Sequence, residues 1–384
     1  MSDYIKVGAE STFGDGAASL TGAIVTSVTE DIDRGMMIEE TIDTSLPRHA
    51  AAGALKVNGT IECNLRPYQF ITLLEAVMGD SSDEGTYTRL TLAEPTSVEL
   101  QVGESIGSTS YQREYVGVGI SSIDMAFEAK EFVKTTFNWI GKNYSDAAYS
   151  APSYTTEDPV VFYNAAITLA GGATYNIKSL DMTIDRKLDE DQYVLGSFTL
   201  RRLAITGNTE ISGSITFTED EFNEFKRAIY GSTGATAVPA TNDLGTAALV
   251  ITCNDMSGDA AMVITAPIAV YSTASKNSSG KAEVEKTIDY QVLAGSTDFT
   301  VDIYTATPST PVAAFTSSPT GLSVAFTDTT TNSPVYWAWD FGDDSGSFLQ
   351  NPTHTYSTGG TYTVTLIVEN LAGTDVYSTT VTVS

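Results

Sequence analysis

Few side chains in this sequence are of the types that carry out acid–base, nucleophilic or metal chemistry. Its two histidines, His49 and His354, stand apart from any serine, cysteine or carboxylate pattern that would pair a nucleophile with its base. Its two cysteines, Cys63 and Cys253, lie in apolar stretches without metal-ligand spacing, so we expect buried free thiols. The sequence therefore predicts no catalytic residue, no cofactor and no metal, and an enzyme is the weakest interpretation.

Carboxylates are the remaining candidates for chemistry. Glu39 and Glu40 are adjacent, but they stand in a solvated run that does not resemble a catalytic acid pair. Asp340, Asp343 and Asp344 could gather a calcium ion through their oxygens. Aspartates at this spacing also cap turns by accepting bonds from nearby backbone amides, which is the simpler interpretation.

The net charge of −28 makes attraction to nucleic acid phosphates or to anionic lipid improbable. Acidic residues are spread along the chain, with 22 acidic and 10 basic groups in residues 1–150, 20 and 10 in 151–311, and 6 and none in 312–384. Such a surface serves solubility or repels DNA that slides past it, and the sequence leaves both open. The start of the chain lacks the pattern of a signal peptide and no run suits a membrane helix, so we expect a product of the cytoplasm without membrane contact.

The first part of the chain contains a weak internal repeat with an offset of about 152 residues. Three separated segments recur: Ile32-Asp33-Arg34 as Ile184-Asp185-Arg186, Gly59-Thr60-Ile61 as Gly213-Ser214-Ile215, and Lys134-Thr135 as Lys286-Thr287. Agreement of separated segments on nearly one spacing indicates a duplication. The alternative is two unrelated β-rich domains with coincidental spacing.

Each copy also contains one predicted helix between strands. In the first copy the helix begins near Pro67, ends at Gly79 and carries an apolar stripe at Phe70, Leu73, Leu74, Val77 and Met78. In the second copy the stripe recurs at Phe222, Phe225, Ile229 and Tyr230, with a capping box of Thr218 and Glu221 and an end at Gly231. Each copy is thus predicted as strands, one helix and further strands.

This pattern resembles the major tail tube proteins of long-tailed phages and archaeal viruses. The resemblance covers residues 1 to about 305 and rests on the strand, glycine, strand and helix order of LKVNGTIECNLRPYQFITLLEAVMG and on the closing hairpin REYVGVGISSIDMAFEAKEFVKTTFNWIGK. It implies a β-sandwich or barrel domain flanked by one helix, whose inner strands join those of neighbouring copies into a continuous ring. We therefore expect one tube domain in 1–150 and a second in 151–304.

A segment between Ile42 and Leu55, TSLPRHAAAGA, is predicted as a loop. In the resembled family the corresponding excursion reaches the adjacent ring. The resemblance makes four residues candidates for inter-ring stacking contacts: Leu46, Pro47, Arg48 and His49. The alternative is a surface loop without a partner.

The composition changes after Tyr304, where TATPSTP predicts a short, stiff linker over 305–311. Residues 312–384 have compact alternating strands and predict a small sandwich. The segments WAWDFGDDSG, NPTHTY and GGTYTVTLIVENLAGTD resemble, in order and spacing, the PKD (polycystic kidney disease) domain, an immunoglobulin-like β-sandwich. The residues that carry this resemblance are Trp337, Trp339, Asp340, Phe341, Gly342, Asp343, Pro352, His354 and Tyr356.

Two positions in these segments differ from the usual family pattern. Trp337 stands where tyrosine is usual, and Asp344 stands where glycine is commonest, which puts the turn there in doubt. Trp339 is expected to fill the core between the sheets. These are predicted to be residues of the fold and not of chemistry.

The two resemblances together imply a structural virion protein. It would form trimeric, pseudo-hexameric rings that stack into a tail tube for DNA ejection, with DNA passing unbound, and would contact the tail terminator, baseplate and tape measure proteins. The alternative is a cell-surface or adhesive protein of an archaeon or bacterium, because PKD modules also occur there. Such a protein would need export.

Overall fold

A computed structural model describes the chain in segments separated by short gaps. The described residues are 2–39, 49–106, 109–154, 157–161, 165–169, 173–174, 177–195, 197–217, 223–230, 246–254, 260–277, 285–295, 298–304, 310–331, 334, 336–343, 345–370 and 373–384. The chain forms two compact units. The larger comprises Met1–Ser82, Arg89–Met256 and Ala261–Ile303, and the smaller comprises Asp83–Thr88, Ser257–Ala260 and Tyr304–Ser384.

Both stretches of the repeat lie in the larger unit, apart from the short segments 83–88 and 257–260. The first stretch contains the helix α1 (Ile71–Met78) and the strands β1 (Ser2–Ala9), β2 (Thr21–Ala23), β3 (Ser27–Asp33), β4 (Met36–Glu39), β5 (His49–Ala52), β6 (Lys56–Asn64), β7 (Gly79–Asp83), β8 (Tyr87–Leu92), β9 (Val98–Ile106), β10 (Thr109–Glu128), β11 (Lys134–Gly141) and β12 (Asn143–Asp146). The second contains the helix α2 (Asn223–Tyr230) and the strands β13 (Ala165–Leu169), β14 (Ala173–Thr174), β15 (Ile177–Asp185), β16 (Glu210–Phe217), β17 (Thr246–Asn254), β18 (Ala260–Asn277), β19 (Glu285–Leu293) and β20 (Thr300–Tyr304). The division at residue 150 therefore falls within one compact unit, and it stays a prediction.

The two stretches build the same four-stranded antiparallel arrangement. In the first, the strands pair in the order β3-β6-β11-β10, and in the second in the order β15-β16-β19-β18. β10 also pairs with β15, so the two arrangements join into one sheet of eight strands. Even a strand irregularity recurs, because the register shifts between Ile120 and Ser122 in β10 and between Tyr271 and Thr273 in β18. The repeated pairing supports the duplication predicted from the sequence.

One of the sequence matches is displaced by one residue. Phe137 pairs with Ile61 in the first copy, and Ile288 pairs with Ile215 in the second. The structural counterpart of Phe137 is therefore 151 positions later, and Lys134-Thr135 is not equivalent to Lys286-Thr287 as the identity suggested. Because side chains alternate between faces of a strand, a shift of one residue reverses the face of every match.

The glycine in each copy's repeated segment accommodates an aromatic ring from the adjacent strand. A β-carbon on Gly59 would lie 2.7 Å from the Trp139 ring, and one on Gly213 would lie 2.7 Å from the Tyr290 hydroxyl. It would also meet a backbone carbonyl oxygen in each case, that of Thr29 or of Asp181. A side chain at these positions would therefore displace the ring or the neighbouring strand.

The predicted first helix is present as α1, although its regular part begins at Ile71 and not in the turn at Pro67. Its buried residues are Leu73, Leu74, Ala76, Val77 and Met78, and Phe70 stacks on Phe137 with ring centroids 5.6 Å apart. Gly79 ends it in a left-handed conformation, φ +96°. The second helix is present as α2, while its predicted cap residues Thr218 and Glu221, the stripe residue Phe222 and Gly231 lie outside the described residues.

The smaller unit contains a sandwich of two antiparallel sheets. Its strands are β21 (Phe315–Thr320), β22 (Ser323–Asp328), β23 (Tyr336–Asp340), β24 (Gly346–Ser347), β25 (Thr353–Thr355), β26 (Gly360–Asn370) and β27 (Gly373–Val383). One sheet has the order β21-β22-β25 and the other β24-β23-β26-β27. The predicted fold class, mainly β with an immunoglobulin-like sandwich at the C-terminal end, is confirmed.

We predict that Gly213→Ala lowers the free energy of unfolding by about 2 kcal/mol, because the added carbon overpacks against Tyr290 and the backbone of β15. The measurement is denaturant unfolding of the full chain, followed by circular dichroism. Gly207→Ala is the control, since a β-carbon there meets no atom within 4 Å. Equal unfolding midpoints for the two variants would contradict the close approach of Tyr290.

Candidate functional site

The junction between the two copies is a continuous antiparallel pairing of β10 with β15. It runs from Ser122 opposite Asp185 to Glu128 opposite Ser179. On one face of the junction the paired side chains are apolar and buried: Ile123 with Ile184, Met125 with Met182 and Phe127 with Leu180. On the other face the Thr183 hydroxyl donates to Asp124 at 2.7 Å. Apolar burial on one face and polar bonds on the other fix the register of this junction.

The repeated Ile-Asp-Arg segment closes this junction in the second copy. The backbone N–H of Arg186 donates to the carbonyl of Ser121 at 2.8 Å, beside the register shift in β10. The Arg186 side chain is 1% exposed and donates to the carbonyl of Ala93, and its burial lowers the pKa of the guanidinium. Its counterpart Arg34, in the first copy, is exposed. The same segment therefore lies at the paired β10–β15 junction in the second copy and at an exposed sheet edge in the first.

Two strand edges of the eight-stranded sheet have no partner among the described strands. β3 pairs with β6 on one side only, and residues 273–277 of β18 pair with β19 on one side only. Edge residues on both strands are exposed, among them Thr29, Glu30 and Asp31 on β3 and Thr273, Ser275 and Lys276 on β18. Unpaired strand edges of this length are templates for pairing with another chain. Sequence reasoning did not single out these residues, although the repeat offset relates them to the β10–β15 junction.

The sheet has one apolar face and one polar face. The charged residues of the polar face are mostly carboxylates: Asp31, Asp33, Glu62, Asp124, Glu128, Asp181, Asp185, Glu210 and Asp289. Lys56 and Lys134 share this face at the beginnings of their strands, Lys187 pairs with Asp185 and Glu210, and Lys178 pairs with Glu285. Hydroxyl groups lie between the acids, as where Thr29 and Thr60 bond at 2.7 Å. The polar face is therefore strongly acidic.

Of the predicted stacking residues, Leu46, Pro47 and Arg48 lie outside the described residues. His49 is the first residue of β5, which pairs with β4 in a hairpin. The described part of this hairpin exposes 68% of Met36 and 60% of Met37. Two adjacent exposed methionines give the hairpin an apolar contact surface.

In the smaller unit the two tryptophans of the PKD motif have different environments. Trp339 is 4% exposed between the sheets, and its indole N–H donates to the carbonyl of Leu349 at 2.9 Å. The Trp337 indole N–H donates to Asp328 at 2.8 Å. Burial raises the pKa of Asp328, but bonds from Thr330, Gln350 and Trp337 outweigh burial, so the pKa is lowered overall.

The remaining motif residues form a stack beside the turn after β23. Phe341 is parallel to the His354 ring at 4.3 Å, and the Tyr356 hydroxyl donates to the Phe341 carbonyl at 3.1 Å. Pro352 is buried, and its carbonyl accepts from the backbone of Phe326 at 2.9 Å. Gly342, at φ +78°, makes the turn that a side chain would strain.

The motif aspartates act as acceptors within the turn. Asp340 accepts from the Gly342 amide at 2.9 Å, and Asp343 accepts from the Ser345 hydroxyl at 2.5 Å and contacts His354 at 2.8 Å. Asp344, the third aspartate considered for calcium, lies outside the described residues. Among the residues that the structure describes, no group of three or more His, Cys, Asp or Glu residues could hold a metal ion.

The two cysteines are free and buried, as the sequence predicted. Burial raises the pKa of Cys63, and it raises the pKa of Cys253 to about 12, so neither thiol is reactive near neutral pH. Within the described part of the chain, no helix is long and apolar enough to cross a membrane.

We predict that Asp343→Asn destabilises the turn by on the order of 1 kcal/mol at neutral pH, because it removes a charged acceptor of two hydrogen bonds. Burial raises the pKa of Asp343, but the bonds from Ser345 and His354 lower it overall. A lowered pKa in the folded state adds stability above the unfolded value, which is lost as the pH falls below about 4. Amide hydrogen exchange of the 336–356 segment should therefore differ between variant and wild type at pH 7, and the difference in opening free energy should shrink near pH 3. A difference independent of pH would contradict the role of the charge.

Comparison with known proteins extends over both units. A protein-family model described as "Phage tail tube protein" matches residues 4–292, and one described as "PKD domain" matches residues 305–384. Among solved structures, the PKD1 domain of Vibrio anguillarum Epp is 34% identical over 20% of this chain and 95% of its own, with a TM-score of 0.19. The PKD1 domain of the Vibrio cholerae metalloprotease PrtV is 36% identical over 19% of this chain and 96% of its own, also with a TM-score of 0.19. No curated protein matches the chain. The tail tube match covers most of the chain, and the chain therefore belongs to the phage tail tube protein family, with a PKD domain at its C-terminal end.

Proposed function

We propose that three copies of the chain close into a ring and that stacked rings form the virion tail tube through which DNA leaves the particle. Membership of the tail tube family implies a structural protein of the virion that self-associates. The observation that carries the finer proposal is the pair of strand edges at the two ends of one duplicated sheet, β3 and residues 273–277 of β18, for which the described strands supply no partner. Each chain supplies two equivalent four-stranded units, so a ring of six units needs three chains.

The acidic polar face of the sheet is proposed to line the channel. Carboxylates on this face repel DNA phosphates, so DNA slides without binding. The apolar face packs against the rest of the larger unit, which leaves the polar face as the one suited to water. The same surface gives no reason for catalysis, and we propose a purely structural role.

Contacts between rings are proposed to involve the β4–β5 hairpin with Leu46, Pro47, Arg48 and His49. The exposed Met36 and Met37 support this, because exposed apolar side chains gain from burial against a partner. The tube would end on terminator and baseplate proteins and enclose a tape measure protein. The chain would be made in the host cytoplasm. The adhesive alternative is not favoured, because the family match over residues 4–292 is to tail tube proteins.

The ring proposal predicts the mass of the smallest closed assembly. Purified chain should form tubes in negative-stain electron micrographs, and mild dissociation should release rings of three 40.8 kDa chains, about 122 kDa by native mass spectrometry. End-on averages should show six similar lobes. Rings of six chains would contradict the trimer, and chain that is folded but never forms rings or tubes would contradict the function.

The PKD domain is proposed to decorate the outside of a flexible, non-contractile tube, since a close-fitting contractile sheath would occupy the same space. We predict that a chain ending at Tyr304 still forms tubes of normal bore but smaller outer diameter, because the strands that build the sheet precede that residue. Electron microscopy of truncated and full-length chain measures both diameters. A truncated chain that folds, by circular dichroism, but forms no tubes would show that the domain is needed for assembly.

A further inference from the structure

We propose that β18 of one copy pairs with β3 of a second copy in a single register, which places Lys276 directly opposite the neighbour's Glu30. This inference rests on the ring proposed above and specifies its interface. The β10–β15 junction inside the chain is the template for this junction between chains, because the duplication relates the strands of the two.

The register follows from two offsets. β18 repeats β10 after 151 residues, as the shared register shift shows, and β15 repeats β3 after 152 residues. Applying both to the β10–β15 pairs gives five pairs of described residues between chains: Thr273 with Asp33, Ala274 with Ile32, Ser275 with Asp31, Lys276 with Glu30, and Asn277 with Thr29. The Arg186 amide, which donates to Ser121, has its counterpart in an Arg34 amide that would donate to the neighbour's Ser272.

The chemistry of the transferred pairs is complementary. On the polar face, Asp124 and Thr183 bond as carboxylate and hydroxyl, and their counterparts Ser275 and Asp31 are again a hydroxyl and a carboxylate. On the opposite face, the buried pair of Met125 and Met182 corresponds to Lys276 and Glu30, an ammonium and a carboxylate. Directly opposed charges of opposite sign stabilise an antiparallel pair.

Neighbouring residues position Glu30 for this contact and leave Lys276 available for it. The Glu30 carboxylate is bonded to Arg113 at 3.0 Å, and the Arg113 guanidinium lies 5.3 Å from the Tyr111 ring centroid and 5.8 Å from that of Tyr144. These contacts hold the Glu30 carboxylate in place at the strand edge. Lys276 is exposed on β18, and the residue directly opposite it on β19 is Lys286 and not a carboxylate.

The two junctions differ in the side chains that close them, and this difference distinguishes pairing within one chain from pairing between chains. The internal junction is closed by apolar side chains, and the external one would be closed by a charge pair. A free edge carrying Lys276 or Glu30 matches the methionine-lined edges poorly, because an unpaired charge would be buried there. The charge pair therefore selects the edge of a second copy and fixes the register.

Cysteine cross-linking tests the register. In tubes of the variant Ser275→Cys with Asp31→Cys, both residues are exposed and directly opposed between chains, so oxidation should give a covalent ladder that ends at three chains on a non-reducing gel. The matched control is Ser275→Cys with Thr29→Cys, which lies two residues out of register on the same face and should cross-link at least tenfold less. Tubes that form but cross-link equally, or only in the control, would overturn the register while leaving the proposed function intact. Wild-type chain that forms no rings would overturn the function, and this inference with it.

Charge reversal tests the pair itself. Glu30→Lys alone and Lys276→Glu alone should each reduce sedimentable tube by at least about tenfold, because like charges then face each other. The double variant should recover tube relative to either single variant, but not fully, because Glu30→Lys also removes the bond to Arg113 within the chain. Glu75→Lys on α1, with the same charge change away from both edges, should assemble normally. Recovery of circular dichroism without recovery of tubes in the double variant would overturn the charge pair. Normal assembly of both single variants would do the same.

Discussion

The strand edges at the two ends of the eight-stranded sheet, which no other described strand covers, are the constraint on which the rest of the molecule depends. Strands that are paired on one side only leave N–H and C=O groups that water or another chain must satisfy. Most soluble proteins cover or shorten such edges, but here β3 and the end of β18 are exposed and regular. A sheet with two matching open ends is suited to closing through further copies of itself, as the proposed ring requires.

Duplication within one chain makes this constraint easier to satisfy. The β10–β15 junction is formed during folding, so half of the junctions of the proposed ring need no encounter between chains. Once both kinds of junction exist, each is free to diverge. Met125 and Met182 are buried in a junction that forms within the chain. Lys276 and Glu30 are charged, so they tolerate exposure to water before assembly.

The sequence predicted the architecture well and the interface poorly. Strand and helix periodicity, with Gly59 and Gly213 as shared markers, was sufficient to predict the repeated order of strands and helix. The PKD segments were sufficient to predict the sandwich. Identity at Lys134 and Lys286 gave a register wrong by one residue, because only pairing shows which face a side chain occupies. The significance of Glu30 and Lys276 required knowledge of which strands lack partners, which is a property of the whole sheet and not of any local pattern.

The alternation of side chains along the strands places many of the acidic residues on one face of the sheet. Every second residue packs on the apolar face, so the intervening positions must tolerate water, and here they carry mostly Asp, Glu, Ser and Thr. Carboxylates such as Asp124 and Asp181 are held by neighbouring hydroxyls, as in the bond from Ser214 to Asp181 at 2.5 Å. In a closed ring these groups would surround one channel. Because the field of like charges adds across a confined lumen, even a modest number in each chain would keep a polyanion from adhering to the wall.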